Sequence, residues 1–200
     1  YDTQDNVLLF TTDGKKRTEG YESDIFIPCV EQGVAITNAR FEDNHAFLDG
    51  GAIATPNNYK NMFFLLENIQ FLKNTAGSKG GAIRMSGSQT AAQVLNSTFN
   101  GNTAASSGGA LSIESAAGLQ MFHINAINNG VSGDGDGGFL FARFSNPILL
   151  RDVNIQRSST NNEGGGGGLA VYSSSIALEQ VTISGCESGT RGGGGLLLDY

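Results

Sequence analysis

The groups able to do chemistry in this chain are few and scattered. Asp134 and Asp136 stand in Gly133-Asp134-Gly135-Asp136-Gly137-Gly138. Gly/Asp-rich turns of that kind hold Ca2+ between stacked β coils when they recur in tandem. The corresponding stretches, Ala76-Gly77-Ser78-Lys79 and residues 158–163, do not repeat the pattern. A polar turn is therefore favoured, with Asp134 and Asp136 kept as secondary candidates for a Ca2+ site. Acid–base work on a polysaccharide needs carboxylates, often with Arg, Lys or His, converging on one face. Asp152 and Glu179 fall near a corner position where turn chemistry explains them, and His45 follows Asn44 in a turn. No convergent set results, so the expectation is a chain without catalytic residues that is not an enzyme and needs no cofactor. Asn96-Ser97-Thr98 is a candidate glycosylation sequon.

Whatever positions these groups is a repeat. Gly50-Gly51-Ala52-Ile53 returns as Gly80-Gly81-Ala82-Ile83 and Gly108-Gly109-Ala110-Leu111. Looser copies are Gly137-Gly138-Phe139-Leu140, Gly167-Gly168-Leu169-Ala170 and Gly194-Gly195-Leu196-Leu197, at steps of 30, 28, 29, 30 and 27 residues. Nine residues before the intact doublets stand Phe41-Glu42-Asp43-Asn44, Phe71-Leu72-Lys73-Asn74 and Phe99-Asn100-Gly101-Asn102. Weaker forms are residues 155–158 and 183–186, and Phe10-Thr11-Thr12-Asp13 with Gly20 is fainter still. A fixed period of this length marks a solenoid or array. The repeat predicts about seven coils of roughly 29 residues.

Within each repeat apolar residues alternate with period two, as in Val34 and Ile36, Phe64 and Leu66, or Ile148 and Leu150. Three such short runs per repeat predict three strands per coil. Stacked in register, they make an all-β, parallel β-helix, right-handed by the crossover preference. Phe41, Phe71 and Phe99 are expected to form an interior ladder, and Asn38, Asn68 and Asn96 to stack at a corner. Asn44, Asn74 and Asn102 form a further structural row, and Gly51, Gly81 and Gly109 mark the turn. At 119–131 two alignments stay open, one on Asn125 and one on Ile127. Residues 1–200 read as one segment of a longer chain, with 1–33 degenerate and 34–200 regular.

The net charge of −7, from 12 basic and 19 acidic residues, argues against nucleic acid as a partner. The basic run Lys15-Lys16-Arg17 reads as a solvated loop. No stretch of 18 apolar residues could span a membrane as a helix. Cys29 and Cys186 stand more than five coils apart, about 25 Å along the axis, beyond the ~7 Å limit for a disulfide.

The tandem pairing of Phe-x-x-Asn with Gly-Gly-Ala-(Ile/Leu) between Phe41 and Leu111 resembles the repeats of the chlamydial polymorphic membrane proteins. Similar repeats occur in large surface proteins of algae and protists. The resemblance implies a right-handed β-helical passenger displayed at a cell surface and concerned with adhesion.

The expected function is a structural or adhesive segment of an extracellular surface or fibre-forming protein. Its partners would be other protomers, flanking domains, or a host or cell-surface receptor or glycan. The alternative is a carbohydrate-active β-helix enzyme of the pectate lyase or polygalacturonase kind. One interface is expected. Residues one and three places after the second glycine are placed outward, which makes Phe139, Phe141, Leu169, Val171, Leu196 and Leu198 an apolar stripe for lateral packing.

Overall fold

The computed structural model describes residues 32–55 and 62–200. The faint first repeat at Phe10 to Gly20, the basic run at Lys15 and Cys29 lie outside the described residues. All regular structure described is β, and every strand pair is parallel. Six coils stack among the described residues, the count of strands in the third of three sheets. Their strands begin at Ile53, Ile83, Leu111, Leu140, Leu169 and Leu196. The chain is thus the parallel β-solenoid that the period and the alternation predict.

The first sheet begins with Gln32–Thr37, Met62–Glu67 and Ala91–Leu95. Its inward residues, among them Phe64, Leu66, Ala92 and Val94, lie in the core. Outward Phe63, Leu65, Leu95, Phe122 and Leu149 form a second apolar cluster on its other side. After each first strand the chain bends at a residue in left-handed conformation: Asn38 (φ 54°), Asn68 (56°) and Asn96 (47°). Asn accepts that region at low cost, and Asn68 Nδ2 donates to Asn38 Oδ1 at 3.1 Å. In the fourth and fifth coils His123 (φ 56°) and Asp152 (φ 53°) occupy the corner, and the strand runs through it as Gly118–Ile127 and Ile148–Gln156. The fourth coil therefore follows neither of the two alignments read from the sequence. Ala126 pairs with Phe99 and Ile155, while Asn125 points outward and accepts from Asn154 Nδ2 at 3.2 Å.

Past the second bend an amide column runs up the interior. Asn74, Asn102 and Asn129 are fully buried. Asn44 Nδ2 donates to Asn74 Oδ1 at 2.8 Å, Asn74 Nδ2 to Asn102 Oδ1 at 3.0 Å, and Asn102 Nδ2 to Asn129 Oδ1 at 2.9 Å. Each buried amide also donates to the carbonyl of a residue in the coil before it: Phe41, Phe71 and Phe99. Buried polar groups need such partners. The rings of Phe41, Phe71 and Phe99 stack beside this column at centroid distances of 5.3 and 4.8 Å. In the fourth coil Ala126 leaves that slot empty, and Phe139 reaches in from the third sheet to meet Phe99 edge-on at 5.5 Å.

The two glycines of each doublet have different reasons. The first has positive φ, as at Gly80 (66°). The second is forced by close approach: a Cβ on Gly81 would lie 2.1 Å from the Gly109 carbonyl oxygen, and one on Gly109 2.1 Å from that of Gly138. Pairing of Leu140 with Leu169 and of Leu169 with Leu196 places the later doublets at Gly166-Gly167 and Gly193-Gly194, one residue earlier than the sequence reading.

That shift corrects the expected apolar stripe. Phe139, Leu169 and Val171 are inside the core, at most 1% exposed. Leu196 packs against the core, and Leu198 sits at the register of inward Val171, exposed because its coil is the last one described. The residue after the doublet (Ala52, Ala82, Ala110, Phe139) precedes the strand and turns inward, which the alternation rule does not cover. Of the six, only Phe141 projects from the solenoid, and Tyr172 covers it, with ring centroids 5.6 Å apart. A lateral apolar interface through these residues loses its premise.

Candidate functional site

The outer face of the third sheet carries a dense set of polar, charged and aromatic side chains. Two outward rows run along it in register. One is Arg84, Ser112, Phe141 and Ala170; the other is Ser86, Glu114, Arg143, Tyr172 and Asp199. Beside them runs the residue before each glycine doublet: Asp49, Lys79, Ser107 and Asp136. Carboxylates of this third row cap the next coil. Asp49 accepts from the Lys79 amide at 3.0 Å and Asp136 from the Gly165 amide at 2.7 Å.

The rows enclose a cleft of about 480 Å³ whose lining includes Lys79, Asp136, Arg143, Phe144, Tyr172 and Arg191. Asp136 is its buried anchor, 5% exposed. Its second carboxylate oxygen accepts from the Tyr172 hydroxyl at 2.8 Å and from Arg191 Nη1 at 3.0 Å. Burial, then the hydrogen bond and charge of Asp136, push the Tyr172 phenol up to about 12, so it stays a neutral donor. The same carboxylate raises the Arg191 guanidinium above its ordinary value. At the far side Lys79 Nζ meets Glu114 at 2.5 Å, Arg84 reaches Glu114 at 3.5 Å, and Lys79 lies 5.9 Å above the Phe141 ring.

Arg143 and Phe144 form the open wall. Glu114 is the register neighbour of Arg143, but its oxygens go to Lys79 and Arg84. Among the described residues no carboxylate pairs with Arg143, whose guanidinium lies 4.8 Å from the Phe144 ring centre. Phe144 has φ 50° and is 53% exposed. Equivalent corner residues in the flanking coils are Ser115 and Ser173. A bulky side chain in that conformation costs roughly 1–2 kcal/mol, and this one recovers little of it by burial. Strain of that sort collects at functional sites.

The residues singled out from sequence fall elsewhere or acquire other roles. Asp134 is exposed, and Asp136 faces a guanidinium instead of a second carboxylate, an arrangement unlike a Ca2+ site. Among the described residues no group of three His, Cys, Asp or Glu could hold a metal ion. His45 bonds Thr75 Oγ1 at 2.7 Å, and exposed His123 and Asp152 face each other across the corner at 3.4 Å. Glu179 pairs with Arg151 at 2.6 Å. The Asn96 side chain is exposed at its corner, while Ser97 of the sequon is buried and bonds the Leu95 carbonyl. Cys186 takes the place of the inner Asn, half-buried, its thiol raised by burial. Sequence reasoning missed Lys79, Arg143, Phe144, Tyr172 and Arg191. For Arg143 and Tyr172 the signal that could have found them is the outward register of the third strand, where they take the place of Ser86; Lys79, Phe144 and Arg191 lie outside that strand and carry no such signal.

Comparison with curated proteins and with solved structures returned no match. A family model does match, at residues 68–85 and 96–114. Each matched stretch starts at a corner Asn, passes the inner Asn and the glycine doublet, and ends in a strand of the third sheet. Parts of two consecutive coils of this solenoid are therefore similar to the Chlamydia polymorphic membrane protein repeat.

Proposed function

We propose that this chain is a non-catalytic segment of an extracellular or cell-surface protein, a rigid β-solenoid that carries an adhesive face on its third sheet. The repeat and the fold fit a structural segment of a surface protein. The observation that carries the adhesive part is the division of labour between inside and outside. Phe, Asn and Gly of the repeat motif are engaged in coil-to-coil contacts, so function falls to the outward rows, and their polar and aromatic side chains gather at one cleft. The charges there suit binding better than acid–base catalysis. Asp136 already accepts from a guanidinium, a phenol and an amide, and the phenol, pushed up to about 12, is too weak an acid to ionise and serve as a base near neutral pH.

Antibodies raised against the exposed turn at Phe47 and Leu48 provide the test. They are expected to label intact, unpermeabilised source cells, and antibodies against the third-sheet face to reduce attachment of those cells to a surface they colonise. Labelling that appears only after permeabilisation would overturn the surface assignment. Surface labelling without any effect of antibodies against the third-sheet face would overturn the adhesive part.

A further inference from the structure

We propose that the cleft on the third sheet binds a carboxylated saccharide, with Arg143 taking the carboxylate and Phe144 the flat face of the sugar ring; this rests on the adhesive reading above and names its ligand. Four features lead there. The volume of about 480 Å³ lies in the range of small-molecule pockets. Arg143 is an exposed guanidinium without a carboxylate partner among the described residues, 4.8 Å over the Phe144 ring centre, and a guanidinium can take a carboxylate by two parallel hydrogen bonds. Phe144 is an exposed aromatic ring kept in left-handed backbone where the flanking coils use serine. Buried Asp136, with half-buried Tyr172 and exposed Arg191 bonded to it, presents fixed donors and acceptors of the kind that read hydroxyl groups.

Charge and backbone geometry narrow the ligand further. Of the cations in the lining, Lys79 pairs with Glu114 and Arg191 with Asp136, which leaves Arg143 as the one that no carboxylate meets among the described residues. The strands Leu111–Glu114, Leu140–Arg143 and Leu169–Tyr172, which carry Arg143 and Tyr172, are paired with a coil on each side. An extended peptide lying over them therefore finds no open strand edge to extend; among the described residues that side of the cleft has one only at the terminal strand Leu196–Asp199. Recognition on this face must come from side chains, through ring stacking and charged hydrogen bonds. A sugar ring with hydroxyls and one carboxylate satisfies both.

The test titrates the 200-residue chain with hexagalacturonate, a sialylated trisaccharide, neutral maltohexaose and a short poly-glutamate, followed by calorimetry and by a reducing-end and ultraviolet assay for cleavage. At least one carboxylated saccharide is expected to bind, at least tenfold tighter than maltohexaose and poly-glutamate. Arg143→Ala should weaken it tenfold or more, Arg143→Lys less, and Phe144→Ser several-fold, with unchanged circular dichroism. Phe144→Ser copies the flanking coils and should fold at least as well as the parent, which keeps the test valid if another variant misfolds. Uronate and sialylated arms distinguish the two sources of the carboxylate. No binding of either acidic saccharide, equal binding of poly-glutamate, or an affinity untouched by both substitutions would overturn the cleft and leave the surface reading standing. Binding accompanied by cleavage would support the cleft and overturn the non-catalytic reading.

Discussion

Truncating Phe71 to Ala should destabilise the solenoid by about 3–5 kcal/mol, the range for removing a fully buried aromatic side chain. Phe71 is wholly inaccessible and lies between Phe41 and Phe99, nearly parallel to both, at interplanar angles of 9° and 15°. Its removal empties the middle of a stack, and the coil spacing is set by backbone hydrogen bonds that cannot shorten to refill it. Loss of two ring contacts adds about 0.5–1.5 kcal/mol each to the lost burial, part of which the mutational range already contains. Phe41→Ala should cost less, because Phe41 is only partly buried. Hydrogen exchange at amides of the second and third coils, alongside a denaturant melt, reads the effect locally, since a solenoid can open coil by coil. A loss equal to that of Phe41→Ala would refute the interior stack.

Replacing Asn102 by Ala should cost a similar amount by a different route. Asn102 Oδ1 accepts from the amide and from Nδ2 of Asn74, both at 3.0 Å, and its Nδ2 donates to Asn129 Oδ1 and the Phe71 carbonyl, both at 2.9 Å. The substitution strands several of these groups where water does not reach. At about 1–3 kcal/mol for each unsatisfied partner the sum is roughly 4 kcal/mol. Asn102→Asp should be worse at neutral pH, because a carboxylate oxygen would replace the donor and face two acceptors. An Asp variant as stable as the Ala variant at pH 7 would show that the column does not depend on the donor.

Much of this architecture is legible in the chain because each motif residue has one interior job per coil. Phe71, Asn74 and Gly81 can each be assigned a place from spacing alone. Legibility fails where two changes compensate. Ala126 in the aromatic slot and Phe139 in an alanine slot fill one volume together, and neither looks regular by itself. It fails again at Gly164–Gly168, where a run of glycines has no phase and only the pairing of Leu169 with Leu140 fixes the doublet. The amide column extends past the three residues that the repeat marks to a fourth, Asn129, because His123 takes the corner and moves the coil's frame. As a site the cleft was not legible, although Asp136 and Phe141 stand out singly in the sequence. Asp136, Tyr172 and Arg191 span 55 residues and share no repeat position, so only the stacking brings them together.

Stacking of one repeat per coil underlies every assignment above, and intramolecular cross-linking tests it directly. In a background with Cys29→Ser and Cys186→Ser, Thr75→Cys is combined either with Thr103→Cys or with Ser159→Cys. Thr75 and Thr103 are register partners on adjacent coils of the second sheet. Ser159 follows two further pairings along the same sheet, through Gly130, which places it about 14 Å from Thr75 at the ordinary strand spacing, too far for a disulfide. Under mild oxidation the Thr75/Thr103 pair should close to an intramolecular disulfide and the Thr75/Ser159 pair should stay reduced. Equal closure of both pairs, or closure of the distant pair alone, would contradict the account.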